Sequence, residues 1–241
     1  MNIIQPIPAL QRISAYDWPE IENHLNSFGH AVLPRLLTAV ECAGLADLYG
    51  DDARFRNRVI MARHGFGKGE YRYFNYPLPD LIGKLRSALY PRLAGIANGW
   101  NGRLKIDARY PEDHDAFLAR CHDAGQRRPT PLLLKYGEGD FNCLHQDLYG
   151  DVWFPLQVAV LLSHPAKDFT GGEFVLTEQR PRMQSRVAVV PLSRGDAVVF
   201  AVNERPVQGG KGVYRVKLRH GVSRILSGAR YTAGIIFHDA A

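Results

Sequence analysis

Apolar and polar residues alternate in short segments from residue 131 to the C-terminal end of the sequence. Each segment spans four to nine residues and is bounded by turns rich in Gly, Pro, Asp or Ser, which is typical of β-strands. The predicted strands cover residues 132–136, 142–145, 158–162, 171–176, 186–191, 196–201, 218–222 and 229–237. Many short strands joined by glycine-rich turns indicate a sandwich or jelly roll, and such a barrel has room for a metal ion and a small ligand.

The first 130 residues are predicted to be mainly helical. Asp17 and Thr38 each precede a helical pattern and have a Glu three residues later, as expected of helix N-caps. Leu and Ile at helical spacing predict a long third helix, in which Pro91 should cause a kink or a break. The predicted helices are 17–27, 38–49, 79–98 and part of 113–131, with one strand at 28–33.

We therefore expect a mainly β fold, with a jelly-roll core supported by N-terminal helices. The chain has 241 residues, of which 46% are hydrophobic, so it is long and apolar enough to bury one sizeable core. A single domain is predicted for residues 1–241. In this domain, residues 1–130 form the helical support and lid, and residues 131–241 form the core that holds the candidate metal ligands.

The composition favours a cytoplasmic protein that does not enter a membrane. The first residues lack the charged and apolar regions of a secretory signal, and no apolar stretch approaches the ~20 residues of a membrane span. Cys42, Cys121 and Cys143 are far apart in the sequence, which fits a reducing compartment and argues against a structural zinc site. We expect Cys143 to be a small core residue.

His145 and Asp147 are the first candidates for metal binding. With nine His and fifteen Asp in the chain, roughly half of one His-x-Asp motif would arise by chance, so the motif alone is weak. The position of the motif makes a metal-binding role more specific, because a strand that begins near residue 142 would direct the side chains of His145 and Asp147 to one face. His220 lies on a later predicted strand. Two imidazoles and one carboxylate form the facial triad that binds Fe(II) and leaves the other coordination positions open.

Arg230 and Thr232 share one face of the last predicted strand, and Tyr136 ends the first. An arginine within an apolar run is expected to be buried, and buried arginine is seldom unpaired. Its planar guanidinium would pair with two oxygens of an acidic co-substrate, while the hydroxyls of Tyr136 and Thr232 would satisfy the remaining lone pairs. The alternatives are a surface cation for Arg230 and a core aromatic residue for Tyr136.

From about Pro131 onwards, the sequence resembles the iron(II)- and 2-oxoglutarate-dependent oxygenases, which have a double-stranded β-helix core. The resemblance rests on Tyr136, His-Gln-Asp at 145–147, Gly-Gly-Glu-Phe at 171–174, Gly-Asp-Ala-Val-Val-Phe at 195–200, His220 and Arg-Tyr-Thr at 230–232. It implies that His145, Asp147 and His220 bind Fe(II). It also implies that Arg230, Thr232 and Tyr136 bind the distal carboxylate of 2-oxoglutarate, and that O2 is the oxidant.

Charge and two further segments bear on the substrate. Residues 65–74 and 168–186 are similar to a bacterial oxygenase family linked to damaged nucleic acid, and the formal net charge is +6. Basic and aromatic residues are interleaved in residues 54–74, as expected of a groove that follows a nucleic acid backbone and stacks bases on rings. We expect Arg72, Tyr73 and Arg182 to contact the substrate. The alternative is a solvated basic surface whose aromatic residues face the core.

Three functions are compatible with these residues. The first is hydroxylation of a C–H bond in a macromolecule, for example in the oxidative dealkylation of damaged nucleic acid. The second is the same chemistry on a protein side chain, such as prolyl hydroxylation, and the third is a non-catalytic jelly-roll binding module. Some hydrolytic zinc sites also use two His and one carboxylate, but neither a His-Glu-x-x-His motif nor a general-base Glu beside the ligands is found in the sequence.

Overall fold

The computed structural model describes residues 8–148 and 150–241 of the chain. In these ranges the helices are α1 (Ala9–Ser14), α2 (Trp18–Phe28), α3 (Ala39–Asp47), α4 (Asp80–Arg103) and α5 (His114–Asp123). The predicted N-caps are confirmed: Asp17 accepts a hydrogen bond from the backbone N–H of Glu20, and Thr38 forms a capping box with Glu41. None of the described helices is both long and apolar enough to cross a membrane.

Helix α4 is continuous across Pro91, so the predicted break at this residue is wrong. Leu85, Leu89 and Leu93 are buried on the face of α4 that packs into the hydrophobic core. Burial of a leucine side chain contributes roughly 1.5–3 kcal/mol, so the three together outweigh the ~3 kcal/mol that an interior proline costs a helix. Tertiary packing therefore overrides the local signal.

The described chain has more residues in strands than in helices. They are β1 (His30–Leu33), β2 (Phe55–Ile60), β3 (Gly67–Lys68), β4 (Glu70–Phe74), β5 (Leu132–Tyr136), β6 (Phe141–His145), β7 (Leu156–Leu161), β8 (Phe169–Gly171), β9 (Phe174–Gln179), β10 (Arg186–Val190), β11 (Ala197–Ala201), β12 (Glu204–Gly209), β13 (Gly212–Val222), β14 (Ile225–Gly228) and β15 (Arg230–Ile235). The mainly β prediction is confirmed.

Two antiparallel sheets form the core of the fold. One has seven strands in the order β1-β11-β7-β15-β5-β4-β2. The other has the order β10-β9-β13-β6-β3, with β12 paired to β13, and β8 and β14 form a separate short pair. Side chains from both large sheets line one cavity, which therefore lies between them. This is the arrangement of a jelly roll of the double-stranded β-helix type.

The segment before residue 131 contributes strands as well as helices, which corrects the prediction of a mainly helical support. β1 pairs with β11, β4 lies between β2 and β5, and β3 pairs with β6. Side chains alternate between the two faces of β4: Tyr71 and Tyr73 line the cavity, whereas Arg72 points to the opposite face. Both parts of the chain therefore build the sheets together. The lid function of residues 1–130 stays a prediction.

Two strands differ from the predicted ones by more than a shift of one or two residues at an end. The predicted strand 171–176 is divided, because Gly171 and Gly172 have φ angles of 69° and 65°, in the left-handed region that interrupts a strand. β13 begins at residue 212 rather than 218 and forms a hairpin with β12, which was not predicted. A Pro within β12 and several Gly residues at the turn obscure the hairpin in the sequence.

A buried ion pair joins α4 to the segment after β15. Arg86 Nη2 lies 2.8 Å from Asp239 Oδ1, and both side chains are almost fully buried. Arg86 also donates to the carbonyl of Ile236, and Tyr76 and His122 contact the other oxygen of Asp239. Burial would raise the pKa of Asp239, but Arg86 and these hydrogen bonds outweigh it and hold the pKa below its usual value.

Asp239→Asn should lower the free energy of unfolding by about 3 kcal/mol, because it leaves the buried Arg86 charge without a counter-charge. Denaturant unfolding at pH 7 measures the change. Asp80→Asn is the control: Asp80 forms an exposed pair with Lys84, so its loss should cost less than about 1 kcal/mol.

The same pair predicts a pH dependence. Because the native pKa of Asp239 is depressed, its contribution is complete above about pH 4 and is lost as the pH falls from there through the native pKa. The difference between wild type and Asp239→Asn should shrink over that range. Equal stability of Asp239→Asn and wild type at pH 7 would show that the ion pair does not stabilise the fold.

Candidate metal centre

His145 and His220 lie opposite each other on neighbouring strands. β6 ends at His145, β13 carries His220, and the two residues are direct partners in the antiparallel pair. Directly opposed residues of two strands place their side chains on the same face. Here the ring centroids are 4.2 Å apart. The register of β6 and β13 therefore brings two imidazoles to one point of the cavity.

Asp147 completes a triad with the two histidines. Its Oδ1 lies 3.4 Å from Nε2 of His145, and its Oδ2 lies 3.4 Å from Nε2 of His220. One ligand atom from each residue lies within 4.8 Å of the others, so a single metal ion could bind all three. Asp147 follows the end of β6, so the prediction that it shares a strand face with His145 is wrong, although the two side chains do meet.

Gln146 explains how Asp147 reaches the histidines from outside the strand. Its Nε2 donates to Oδ1 of Asn203 and to the backbone carbonyl of Leu218, each at 2.8 Å. Leu218 lies on β13, two residues before His220. These hydrogen bonds tie the chain between the first two ligands to the strand that carries the third, so Gln146 acts as a positioning residue.

Electrostatics favour an ionised Asp147 between the imidazoles. Burial would raise the pKa of Asp147, but His145 and His220 outweigh it and hold this pKa well below its usual value. Burial lowers the pKa of His220, whereas for His145 the contact with Asp147 outweighs burial and raises the pKa. His145 Nδ1 lies 2.7 Å from the carbonyl of Cys143. A carbonyl only accepts, so Nδ1 carries the proton and Nε2 is the nitrogen that could bind a metal ion.

The walls of the centre are aromatic on one side and open on the other. The rings of Phe200 and Phe174 lie 4.5 Å and 6.1 Å from the ring of His220, which separates this imidazole from solvent. Cys143, by contrast, is exposed, and the prediction of a core residue is wrong. It lies on the same face of β6 as His145, and that face borders the cavity.

A cavity of about 340 Å³ contains the triad and lies between the two sheets. Apolar and aromatic side chains form most of its wall, as in small-molecule sites generally. The polar side chains that line it, besides the triad, are those of Tyr71, Tyr73, Tyr136, Asn142, Gln146, Gln157, Arg230 and Thr232. The two histidines of the triad lie on one sheet, with Asp147 just beyond the end of β6, and Arg230 lies on the facing sheet.

Arg230, Thr232 and Tyr136 meet in this cavity. β15 pairs with β5 so that Arg230 lies opposite Tyr136, and Arg230 Nη1 donates to Thr232 Oγ1 at 2.6 Å. Arg230 is only 2% exposed, so the surface-cation alternative is wrong. Nevertheless, Nε of Arg230 and the hydroxyl of Tyr136 have no hydrogen-bond partner among the described residues. Buried polar groups are almost always paired, so these two indicate an anionic ligand.

Burial also changes the titration of these two groups. It lowers the pKa of Arg230 to about 10, a value at which the guanidinium is still charged at pH 7. It raises the pKa of Tyr136 against the weaker lowering effects of Arg230 and Asn142, so the phenol keeps its proton. A charged donor and a neutral hydroxyl donor therefore face the same part of the cavity, which suits a carboxylate.

Gly172, the second glycine of the Gly-Gly-Glu-Phe motif, makes room for Arg230. A Cβ atom at this position would overlap the side chain of Ile225 and come within 3.0 Å of Arg230 Cδ. The left-handed φ and this close approach both require glycine. The motif therefore supports the position of the guanidinium.

Of the three residues predicted to contact substrate, Tyr73 lines the cavity and the other two do not. Arg72 forms an ion pair with Asp52, and its guanidinium lies over the ring of Tyr49 at 4.8 Å. Neighbouring residues of a strand face opposite sides, so Arg72 and Tyr73 cannot both face the cavity. Arg182 is exposed in the turn between β9 and β10, away from the cavity wall.

The loop between β2 and β3 borders the mouth of the cavity. Phe66 lines the cavity, is 47% exposed, and stacks on His64 with ring centroids 5.3 Å apart. Its N–H donates to the carbonyl of Met61, and its carbonyl accepts from the N–H of Cys143. The exposed aromatic pair is therefore fixed to the strand that carries His145.

Gln157 lines the same cavity and was not predicted as a site residue. It is 5% exposed, and its Nε2 has no hydrogen-bond partner among the described residues. The predicted strand began at Val158 and left this residue out. The sequence signal that could have identified it is one glutamine in an otherwise apolar strand, on the same face as Ala159.

Residues 69–240 match the Oxygenase-NA family, which is described as "Oxygenase, catalysing oxidative methylation of damaged DNA". The matched range includes the triad, Arg230, Tyr136 and most of both sheets. A protein of Mycobacterium tuberculosis, found in two strains and described only as uncharacterised, is 52% identical over 168 residues. These residues are 70% of this chain and 72% of that protein.

Solved structures share the fold at low sequence identity. A prolyl hydroxylase from Trichoplax adhaerens, in complex with a peptide of hypoxia inducible factor, has a TM-score of 0.59 at 15% identity. The alignment covers 94% of this chain and 90% of that one. An oxidoreductase of the 2OG-Fe(II) oxygenase family from Burkholderia pseudomallei has a TM-score of 0.53 at 16% identity, with 94% of each chain covered.

Asp147→Asn should weaken the binding of a divalent metal by more than about 100-fold, because it removes the negative charge of the carboxylate. Loss of a residue that only hydrogen-bonds to a metal ligand already costs roughly 10- to 100-fold in affinity. Calorimetric titration with Mn(II), a redox-stable substitute for Fe(II), measures the affinity. Asp151→Asn is the control, since Asp151 is exposed and outside the cavity wall, and it should bind like wild type. Unchanged affinity in Asp147→Asn would refute the ligand assignment.

Proposed function

The chain belongs to the Oxygenase-NA family, and from this membership we propose that it is an Fe(II)- and 2-oxoglutarate-dependent dioxygenase that hydroxylates a C–H bond in damaged nucleic acid. One observation carries the proposal. A single cavity has a His-Asp-His group that could hold a metal ion on the side of one sheet and, on the facing sheet, a buried Arg230 whose Nε lacks a partner among the described residues. A metal and a cation on opposite walls suit an acid that chelates at one end and is paired at the other.

His145, Asp147 and His220 would hold the iron, with two imidazole nitrogens and one carboxylate on one side of the ion. Bound iron and 2-oxoglutarate would supply the activation of O2 for hydroxylation. The residues of the chain position the metal-binding side chains and exclude water from them. Gln146 keeps Asp147 beside the histidines, and Phe200 separates His220 from solvent.

Arg230 would bind the distal carboxylate of 2-oxoglutarate. Thr232 orients the guanidinium by accepting from Nη1, which leaves the remaining N–H groups for the ligand. The hydroxyl of Tyr136 would donate to the same carboxylate. Charge-assisted hydrogen bonds of this kind are about twice as strong as neutral ones, and the apolar wall of the cavity strengthens them further.

The chemistry proposed for this site would remove a methyl group, whereas the family description speaks of methylation. Hydroxylation of an N-methyl carbon inserts one oxygen atom of O2 into a C–H bond. The other oxygen atom oxidises 2-oxoglutarate to succinate and CO2. The N–C bond of the resulting hydroxymethyl group then breaks, so that formaldehyde leaves and the base nitrogen regains a hydrogen. We therefore assign the reaction as oxidative demethylation.

The mouth of the cavity supports a nucleic acid substrate. Phe66 and His64 present a stacked, exposed aromatic pair, and Arg63 and Lys68 are exposed beside them in the sequence. Rings that stack bases and cations that meet phosphates are the usual elements of a single-strand binding surface. The net charge of +6 acts in the same direction.

The proposed function is tested by the consumption of 2-oxoglutarate. An N-methylated single-stranded oligonucleotide should accelerate it, with one formaldehyde released per turnover, more than the unmethylated sequence or a proline-containing peptide does. The stimulation should fall steeply with rising salt, because phosphate contacts release counterions. Stimulation by the peptide and by neither oligonucleotide would instead identify a protein hydroxylase.

Arg230→Met should abolish measurable 2-oxoglutarate binding while leaving the metal-free protein at least as stable as wild type. An apolar chain would replace a buried cation that has no carboxylate partner among the described residues. Arg205→Met is the matched control. Arg205 is equally buried but pairs with Glu178 at 2.5 Å, so its loss should destabilise the fold. The cost should stay below the about 3–5 kcal/mol of a fully unpaired buried charge, because Arg180 and Arg186 also contact Glu178. Calorimetry and denaturant unfolding measure the two effects. A comparable loss of stability in both variants would mean that Arg230 has a structural role.

Phe66→Ala should raise the KM for a methylated oligonucleotide roughly 5- to 100-fold, because one base loses its stacking partner. Phe28→Ala is the control: Phe28 is 50% exposed and contacts His24 and His30, but it lies outside the cavity. Steady-state kinetics on both variants measure the difference. The same KM in Phe66→Ala and Phe28→Ala would argue against base stacking at the mouth.

A further inference from the structure

Gln157 is a buried polar residue that neither the triad nor the Arg230 end of the cavity uses. Its Nε2 is enclosed and has no hydrogen-bond partner among the described residues, although the residue lines the cavity. Buried side-chain amides in native proteins are normally hydrogen-bonded, and an unpaired one costs roughly 1–3 kcal/mol. An amide kept in this state on a cavity wall indicates a ligand group that pairs with it.

The position of Gln157 separates it from the carboxylate end of the cavity. Every second residue from Arg230 on β15 to Ile236, just beyond its end, lines the cavity. Arg230 and Ile236 are six residues apart, which corresponds to roughly 20 Å along a strand. Gln157 lies beside the far end, because Val158 is the cross-strand partner of Ile235. An acid paired with Arg230 leaves this end of the cavity for a second molecule.

Gln157 is also next to the metal centre. It is the direct partner of Phe200 on β11, so the two side chains share one face of the sheet. The ring of Phe200 in turn lies 4.5 Å from the ring of His220. A group held by Gln157 would therefore lie one side chain away from a metal ligand, where a substrate has to be held for oxidation.

We propose that Gln157 reads the hydrogen-bonding edge of the methylated nucleobase and so determines which base is demethylated. This inference rests on the proposed nucleic acid function. A carboxamide offers an N–H donor and a carbonyl acceptor side by side, and nucleobase edges offer the complementary pair, as in glutamine contacts to adenine. The other residues of β7 are apolar, so Gln157 is the polar side chain that this strand offers to the base.

Gln157→Leu tests the proposal with little risk to the fold, because leucine has a similar volume and joins an apolar strand. The substrates are single-stranded oligonucleotides that differ only in which base, adenine, cytosine, guanine or thymine, carries the N-methyl group. The value of kcat/KM for the base preferred by wild type should fall roughly 10- to 100-fold, and the preference among bases should disappear. Gln208→Leu, at an exposed glutamine of β12, should keep both.

A purely structural role of Gln157 would not change the order in which the enzyme prefers the four methylated bases. Calorimetric affinities for Mn(II) and 2-oxoglutarate should stay within twofold of wild type in Gln157→Leu. An unchanged order of preference, or weaker 2-oxoglutarate binding in this variant, would overturn the role of Gln157 while the proposed function stands. If wild type acted on no oligonucleotide, the proposed function would fail and this inference with it.

Discussion

The cross-strand register of β6 and β13 is the constraint on which the site depends. Because His145 lies directly opposite His220, both imidazoles reach one point, and Asp147 joins them from the first turn after β6. A slip of one residue would turn His220 away from the cavity. The close approach of the two strands requires glycine at position 221, because a Cβ there would come within 2.7 Å of the Asn142 carbonyl oxygen. One strand pair and the turn after β6 thus hold the three candidate ligands together.

Three buried arginines differ in the groups that their guanidinium groups contact. Among the described residues, Arg86 and Arg205 are each almost fully buried and each contacts a carboxylate of the chain, Asp239 and Glu178 respectively. Arg230 is buried to the same degree, but its side-chain hydrogen bond goes to a hydroxyl. The charges of Arg86 and Arg205 are each matched by a carboxylate, whereas Arg230 forms no ion pair with a carboxylate among the described residues and faces a largely apolar cavity. That difference is the physical basis for assigning Arg230 to a ligand.

Local pattern was sufficient for some features and not for others. The strands of the core and the motif at 145–147 could be predicted from alternation and spacing, and so could the burial of Arg230. Long-range pairing could not: β4 joins β5 across the predicted boundary at residue 130, which places Tyr73 on the cavity wall and Arg72 on the other face. Gln157 was missed because the predicted strand began at Val158, and the missing hydrogen-bond partner of its Nε2 among the described residues is visible only in the packed structure. The predicted break at Pro91 is wrong because the packing of α4 outweighs the local cost of the proline, while a kink at this residue stays a prediction.

The central claim is that the triad and Arg230 form one binding site for a 2-oxo acid. Calorimetric titration of 2-oxoglutarate into metal-free and Mn(II)-loaded wild type tests it most directly. We predict at least ~10-fold tighter binding with Mn(II), equivalent to ~1.4 kcal/mol. Glutarate, which keeps both carboxylates but lacks the oxo group needed for chelation, should gain much less from the metal. Equal affinity of 2-oxoglutarate with and without Mn(II) would contradict a shared site.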